Sequence, residues 1–187
     1  MIDFRQAKFL KSSVDRKSFL KDRNMVVLIG RSNAGKSTLV NTICDNKKLM
    51  KVSKEPGRTR QMNYLDIIGK YYIVDAPGYG YAGSLDFMEM LADFFDYARG
   101  KVKAIYLLLD PLRELKNDDF DLFEMAKSYD LTIKIVFAKS DKLNATLRRK
   151  AMQVKDKVFT NHEVFFVSSK TKEGIDELRK DLSLVLN

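Results

Sequence analysis

The residues best equipped for chemistry stand together in GRSNAGKST, Gly30 to Thr38. Gly30, Arg31, Ser32, Asn33, Ala34, Gly35, Lys36 and Ser37 fit the spacing G-x-x-x-x-G-K-S/T. The apolar run MVVLI precedes them and the helical pattern KSTLVNTICDN follows. A phosphate-binding loop requires that context. Its glycines let backbone N–H groups converge on phosphate oxygens, and the helix N-terminus adds a favourable dipole. In such a loop Lys36 reaches the β- and γ-phosphates, and the Ser37 hydroxyl is a ligand for Mg²⁺.

Two further stretches bear on the same phosphates. VDAPG holds Asp75, Ala76, Pro77 and Gly78 at the end of a strand pattern. Asp75 is expected to reach Mg²⁺ through a water, and the Gly78 amide to touch a γ-phosphate. EPGRTRQ places Gly57, Arg58 and Thr59 in a loop, with Thr59 as another magnesium ligand. A charged β-turn is the plainer account of that loop, since Pro-Gly is ordinary turn chemistry. The groups expected to act on the triphosphate are Lys36, Thr59, Gly78 and Asn33.

Base choice rests on AKSDK, residues 138–142, after the apolar run IKIVFA. Strand ends on this side of an open α/β sheet face the ligand crevice. Asp141 there accepts from the N1–H and exocyclic amine of guanine. Adenine offers neither donor, so a buried Asp141 would be left unpaired against it. The Lys139 stem lies across the base, with Ser140 beside it. Val167, Ser168, Ser169 and Lys170 end the next strand, where backbone groups of Ser169 and Lys170 meet the guanine carbonyl.

The elements that must hold these loops alternate along the chain. AIYLLL, IKIVFA and VFFVSS are apolar on both faces, as buried parallel strands are. NYLDII and YYIVD flank Gly69-Lys70 and predict a hairpin with a two-residue turn. Amphipathic helices are expected near 86–98, 117–129, 144–158 and 174–185. The fold class is α/β, a P-loop NTPase three-layer sandwich. Its sheet is mixed and six-stranded, one strand antiparallel, with helices on both faces. Residues 1–24 read as a basic extension with no assignable structure, and 25–187 as the nucleotide-binding domain.

Composition narrows the partner. The 187 residues carry a net charge of +9, unevenly spread. Residues 47–60 and 139–157 each hold a net +5, whereas 110–130 hold −4. One basic face suited to a polyanion is the sharper reading, and lysine-rich solvated helices the plainer one. A lone cysteine, Cys44, excludes a disulfide framework, and a lone histidine, His162, excludes a histidine–cysteine metal site. Neither an apolar run of spanning length nor a signal-peptide pattern occurs, so a cytoplasmic monomer with no membrane partner is expected.

In sequence and spacing, GRSNAGKST, PGRTRQMNY, VDAPGYGYA, AKSDK and SSKTKEGIDEL resemble the EngB (YihA/YsxC) family within the TrmE–Era class of GTPases. The resemblance runs from about residue 22 to the end. It implies a GTPase that binds GTP and GDP with Mg²⁺ and assists assembly of the large ribosomal subunit, with rRNA or a ribosomal protein of the precursor as partner. The family's base motif usually opens with Thr or Asn, and here that position is Ala138, which implies weaker nucleotide affinity.

Asn33 gains a meaning from what is missing elsewhere. Many GTPases orient the attacking water with a glutamine after the D-x-x-G glycine. Tyr79 holds that place and has no carboxamide, so slow intrinsic hydrolysis is expected. Members of the wider class that recruit K⁺ to the phosphates supply an asparagine at the position of Asn33, and a carboxamide oxygen suits such a cation. The plainer account is an Asn bonded within its own loop. Two other functions fit parts of the pattern. One is a GTP/GDP-sensing module with negligible hydrolysis; the other is an ATP-using kinase or ATPase, against which Asp141 argues.

Overall fold

Met25 to Ile29 are each at most 1% exposed, because this strand lies mid-sheet with helices on both sides. The computed structural model describes residues 1–50, 61–80 and 84–187. The strands are β1 (Lys8–Ser13), β2 (Asn24–Gly30), β3 (Met62–Ile67), β4 (Tyr71–Asp75), β5 (Val102–Leu109), β6 (Ile133–Phe137) and β7 (Val164–Phe166). The helices are α1 (Lys36–Ile43), α2 (Ser84–Tyr97), α3 (Asn117–Ser128), α4 (Ala145–Val158) and α5 (Ile175–Leu186). The sheet order is β1-β3-β4-β2-β5-β6-β7.

Alternation along the strands divides the core into two apolar layers. Val27, Ile29, Ile105, Leu107 and Ile135 face the side of α2, α3 and α4. Val26, Leu28, Tyr106, Leu108 and Val136 face the side of α1 and α5. β2, β4, β5, β6 and β7 are parallel, and β3 runs against both of its neighbours. The three-layer α/β sandwich with one reversed strand is therefore as the sequence implies.

Among the described residues the sheet has seven strands, not six. The extra one is β1, within the N-terminal stretch that carries no legible pattern. It pairs antiparallel with β3 across a register shift between Phe9 and Lys11. Its flanks clasp both layers: Ile2, Phe4 and Ala7 enter the α1/α5 side, and Phe19 packs edge-on against Phe94 of α2. The hairpin turn also differs. The β3–β4 ladder closes at Ile67 and Tyr71, leaving three residues between them. Ile68 (φ 51°) and Gly69 (φ 69°) are left-handed, and the Asp66 carboxylate accepts from the Gly69 amide at 2.7 Å. A β-branched residue rarely adopts that conformation, so Ile68 reads as strand rather than turn.

Candidate functional site

The site collects at the carboxyl edge of the sheet. After Gly30 the chain turns through Asn33 (φ 66°) and Gly35 (φ 98°) into α1. Glycine meets the second left-handed position without strain, and asparagine tolerates the first better than most residues. Gly30 is constrained by packing, since a Cβ there would lie 3.0 Å from the Leu108 Cβ. The first hydrogen bond into α1 is donated by the Leu39 N–H to the Gly35 carbonyl, at 2.8 Å. The amides of Lys36, Ser37 and Thr38 have no hydrogen-bond partner among the described residues. Unpaired first-turn donors and the helix dipole form a receptor for an anion.

Lys36 and Asp75 meet above this cradle, Nζ to Oδ1 at 3.5 Å, with side chains 10% and 5% exposed. Burial pushes the Asp75 carboxyl up, against the pull of Lys36, Asn63 and Ser37. Among the described residues Oδ1 makes no hydrogen bond. A buried, under-coordinated carboxylate oxygen beside the Ser37 hydroxyl fits a hard divalent cation. Asn63 carries no local sequence signal; it pairs with Asp75 in the β3–β4 ladder and accepts from the Ser12 hydroxyl at 2.7 Å. Ala76 prolongs the strand by donating to the Leu28 carbonyl at 3.0 Å, and half-buried Pro77 leads to Gly78.

Gly78 sits so close to the phosphate loop that a Cβ would fall 2.7 Å from Ser32 Oγ and 2.9 Å from its N and Cα. The Gly78 amide has no partner among the described residues. On either side the loops are stitched together: Ser32 N–H donates to the Tyr79 carbonyl at 3.2 Å, and Tyr79 N–H to the Gly30 carbonyl at 3.4 Å. Gly57, Arg58 and Thr59 lie outside the described residues.

The opposite wall begins where Ala138, half-buried in the α1/α5 layer, follows β6. Lys139 takes a left-handed φ of 62° and donates from Nζ to the Asn33 carbonyl at 2.9 Å. Ser140 is buried; its amide donates to the Val167 carbonyl at 3.0 Å and its hydroxyl to Glu173. Glu173 also pairs with Arg148 of α4. Asp141 is exposed, where the sequence-based account of base choice has it buried. It is fixed instead by the Ser168 hydroxyl, which donates to it at 2.7 Å and holds its carboxyl below the usual range. Ser168 is fully buried, and its Oγ accepts from the amides of Lys170 and Thr171. Ser169 is half-buried, and Lys170 is exposed.

A second cluster beside the cradle had no sequence signal. The Tyr79 ring is buried, stacks on Phe87 at 5.7 Å, and donates its hydroxyl to Asp119 Oδ1 at 2.5 Å. Asp119 Oδ2 accepts from the Lys116 amide at 2.7 Å and faces Arg31 Nη2 at 3.4 Å. Asp119 is only 1% exposed although it lies in an acidic stretch that reads as solvated.

Residues 25–139 match the family described as 50S ribosome-binding GTPase. With this sheet and the glycine-rich loop into α1, the match makes the chain a P-loop GTPase. Relatives include the probable GTP-binding protein EngB of Rickettsia bellii, 37% identical across 95% of this chain and 87% of its own length. The EngB of Acholeplasma laidlawii is 38% identical across 93% and 94%. The chain belongs to the EngB family of GTP-binding proteins. Similar folds among solved structures include a probable GTP-binding protein EngB, at TM-score 0.64 and 17% identity over 87% of this chain and 98% of that one. Era in complex with MgGDPNP and part of 16S ribosomal RNA also matches, at 0.64 and 20% over 88% and 57%. Among the described residues no helix is long and apolar enough to cross a membrane.

Proposed function

We propose that this GTPase is a nucleotide-controlled factor in assembly of the large ribosomal subunit. The observation that carries its nucleotide site is the Lys139–Asn33 hydrogen bond, which draws the base loop onto the phosphate cradle. In this reading Gly30 to Thr38, Gly57 to Thr59 and Asp75 to Gly78 surround the phosphates. Lys139, Ser140, Asp141 and Val167 to Lys170 receive guanine. Ser37, Thr59 and Asp75 would hold Mg²⁺, whose bound charge offsets that of the phosphates. Lys36 places a cation against the β- and γ-phosphates, and the Gly78 amide, unpaired among the described residues, is available to a γ-phosphate oxygen. Tyr79 is committed to Asp119, so no side chain at that position orients water and unassisted turnover is slow. Asn33 is exposed at the phosphate loop, where its carboxamide is open to K⁺.

The ribosomal partner is supported by the family description and by the basic outer face of α4. Arg149, Lys150 and Lys157 are exposed there and have no ion pair among the described residues. Such a face suits the phosphate backbone of rRNA. Pull-down with purified large subunits tests the proposal. Retention with a non-hydrolysable GTP analogue and release with GDP is the expected result; equal retention in both states overturns the switch.

A further inference from the structure

We propose that Asp119 is a positioning residue for γ-phosphate recognition. It holds Tyr79 and Arg31 together and thereby fixes the Gly78 amide against the phosphate loop. The inference rests on the reading of Gly30 to Thr38 as a nucleotide cradle.

The cluster joins three elements at the one point where a triphosphate and a diphosphate differ. Arg31 belongs to the phosphate loop, Tyr79 follows Gly78 directly, and Asp119 stands in the first turn of α3. Arg31 and Tyr79 are bridged through their backbones as well as through Asp119. The Arg31 guanidinium also lies 5.3 Å from the Tyr79 ring centre, and a Cβ on Gly80 would meet its Nη1 at 2.8 Å. Gly78 is therefore held from both sides, by Ser32 and by the anchored tyrosine after it.

Core filling alone does not account for these residue types. A buried carboxylate is costly unless every oxygen is engaged, and apolar groups of the same shape usually serve stability as well. Here both oxygens of Asp119 are engaged, by the Tyr79 hydroxyl and the Arg31 guanidinium from two other elements and by the Lys116 amide at the cap of its own helix. Such a network specifies geometry. The group whose geometry it fixes is an amide with no partner among the described residues. A donor held in place binds its acceptor without first having to be ordered. Only GTP brings an acceptor to Gly78, so the benefit falls on GTP and not on GDP.

The test uses the full chain carrying Tyr79→Phe or Asp119→Asn, with GDP and a non-hydrolysable GTP analogue as probes and thermal unfolding alongside. Tyr79→Phe keeps the ring on Phe87 and removes only the hydroxyl. Expected is a loss of roughly tenfold in analogue affinity with GDP affinity within about twofold of wild type. Equal losses for both nucleotides would mark a structural strut and overturn the inference. So would unchanged affinities in a variant that unfolds at the wild-type temperature. If Asp119→Asn does not fold, Tyr79→Phe decides alone. Wild-type protein that binds neither nucleotide removes the cradle reading, and this inference with it.

Discussion

Lys139 Nζ donates to the Asn33 carbonyl oxygen at 2.9 Å, joining residues 106 positions apart. Ala138 beside it has no polar side chain with which to make such a tie. The structure thus retains a link between the base loop and the phosphate loop, carried by the lysine. Lys139→Met keeps the apolar stem and removes the ammonium. Affinity for GDP and for GTP should fall together, by about tenfold, the scale of a partly exposed charged hydrogen bond. Calorimetric titration measures it, and a change confined to GTP contradicts this role for the lysine.

Asn33 presents both explanations of its residue type at once. Its φ of 66° favours asparagine on backbone grounds, and its exposed carboxamide has no hydrogen-bond partner among the described residues. Asn33→Gly keeps the backbone conformation and deletes the carboxamide. Wild-type GTP turnover should be faster in potassium than in sodium buffer, and the variant should show no difference. Equal wild-type rates in the two buffers would leave only the backbone reason.

Charge reversal of Arg149, Lys150 and Lys157 on α4 should weaken binding to large subunits and leave nucleotide affinity unchanged. For every phosphate no longer neutralised, the slope of log affinity against log salt should become shallower by about 1. Measuring that slope from about 50 to 300 mM salt checks it. An unaltered slope removes this face of α4 as a contact for rRNA.

Glu173 gives a pH dependence of defined sign. Arg148, and then the Ser140 hydroxyl, hold its carboxyl below the ordinary glutamate value of 4.5. A depressed folded-state pKa adds stability above that ordinary value, and the gain is lost as pH falls through the depressed one. Glu173→Gln should therefore be less stable than wild type at pH 7, by at most about 1 kcal/mol because the pair is partly exposed. The gap should shrink as pH drops below 4.5. Urea midpoints at pH 7 and pH 3.5 read it directly; a gap that widens in acid reverses the assignment.

What could be read from the chain follows from how local each signal is. Met25–Ile29 of β2 and Ala104–Leu109 of β5 are buried on both faces, so their apolar runs are unbroken and legible, and β6 is interrupted only by half-buried Lys134. β1 is an edge strand with exposed Phe9 and Leu10 and two lysines, and only its pairing with β3 makes it a strand. The phosphate loop is nine consecutive residues whose spacing is itself the chemistry. Asp119 acquires its role from a tyrosine 40 positions away, which no local pattern encodes. Asp141 was legible as a base-loop carboxylate, but its anchor, Ser168, was visible only as part of the next strand's end.

The Ile2 amide donates to Ser183 Oγ at 3.1 Å, and Asn24 Nδ2 to the Leu186 carbonyl at 3.2 Å. The segment ahead of β1 and the start of β2 are thus both tied to the last turns of α5. During synthesis residues 2–4 emerge long before their partners exist, so their docking must wait until α5 has been made. Such distant closures form late and slowly. A nascent chain halted before α5 would leave Ile2 and Phe4 open to water, ready for a chaperone or for aggregation.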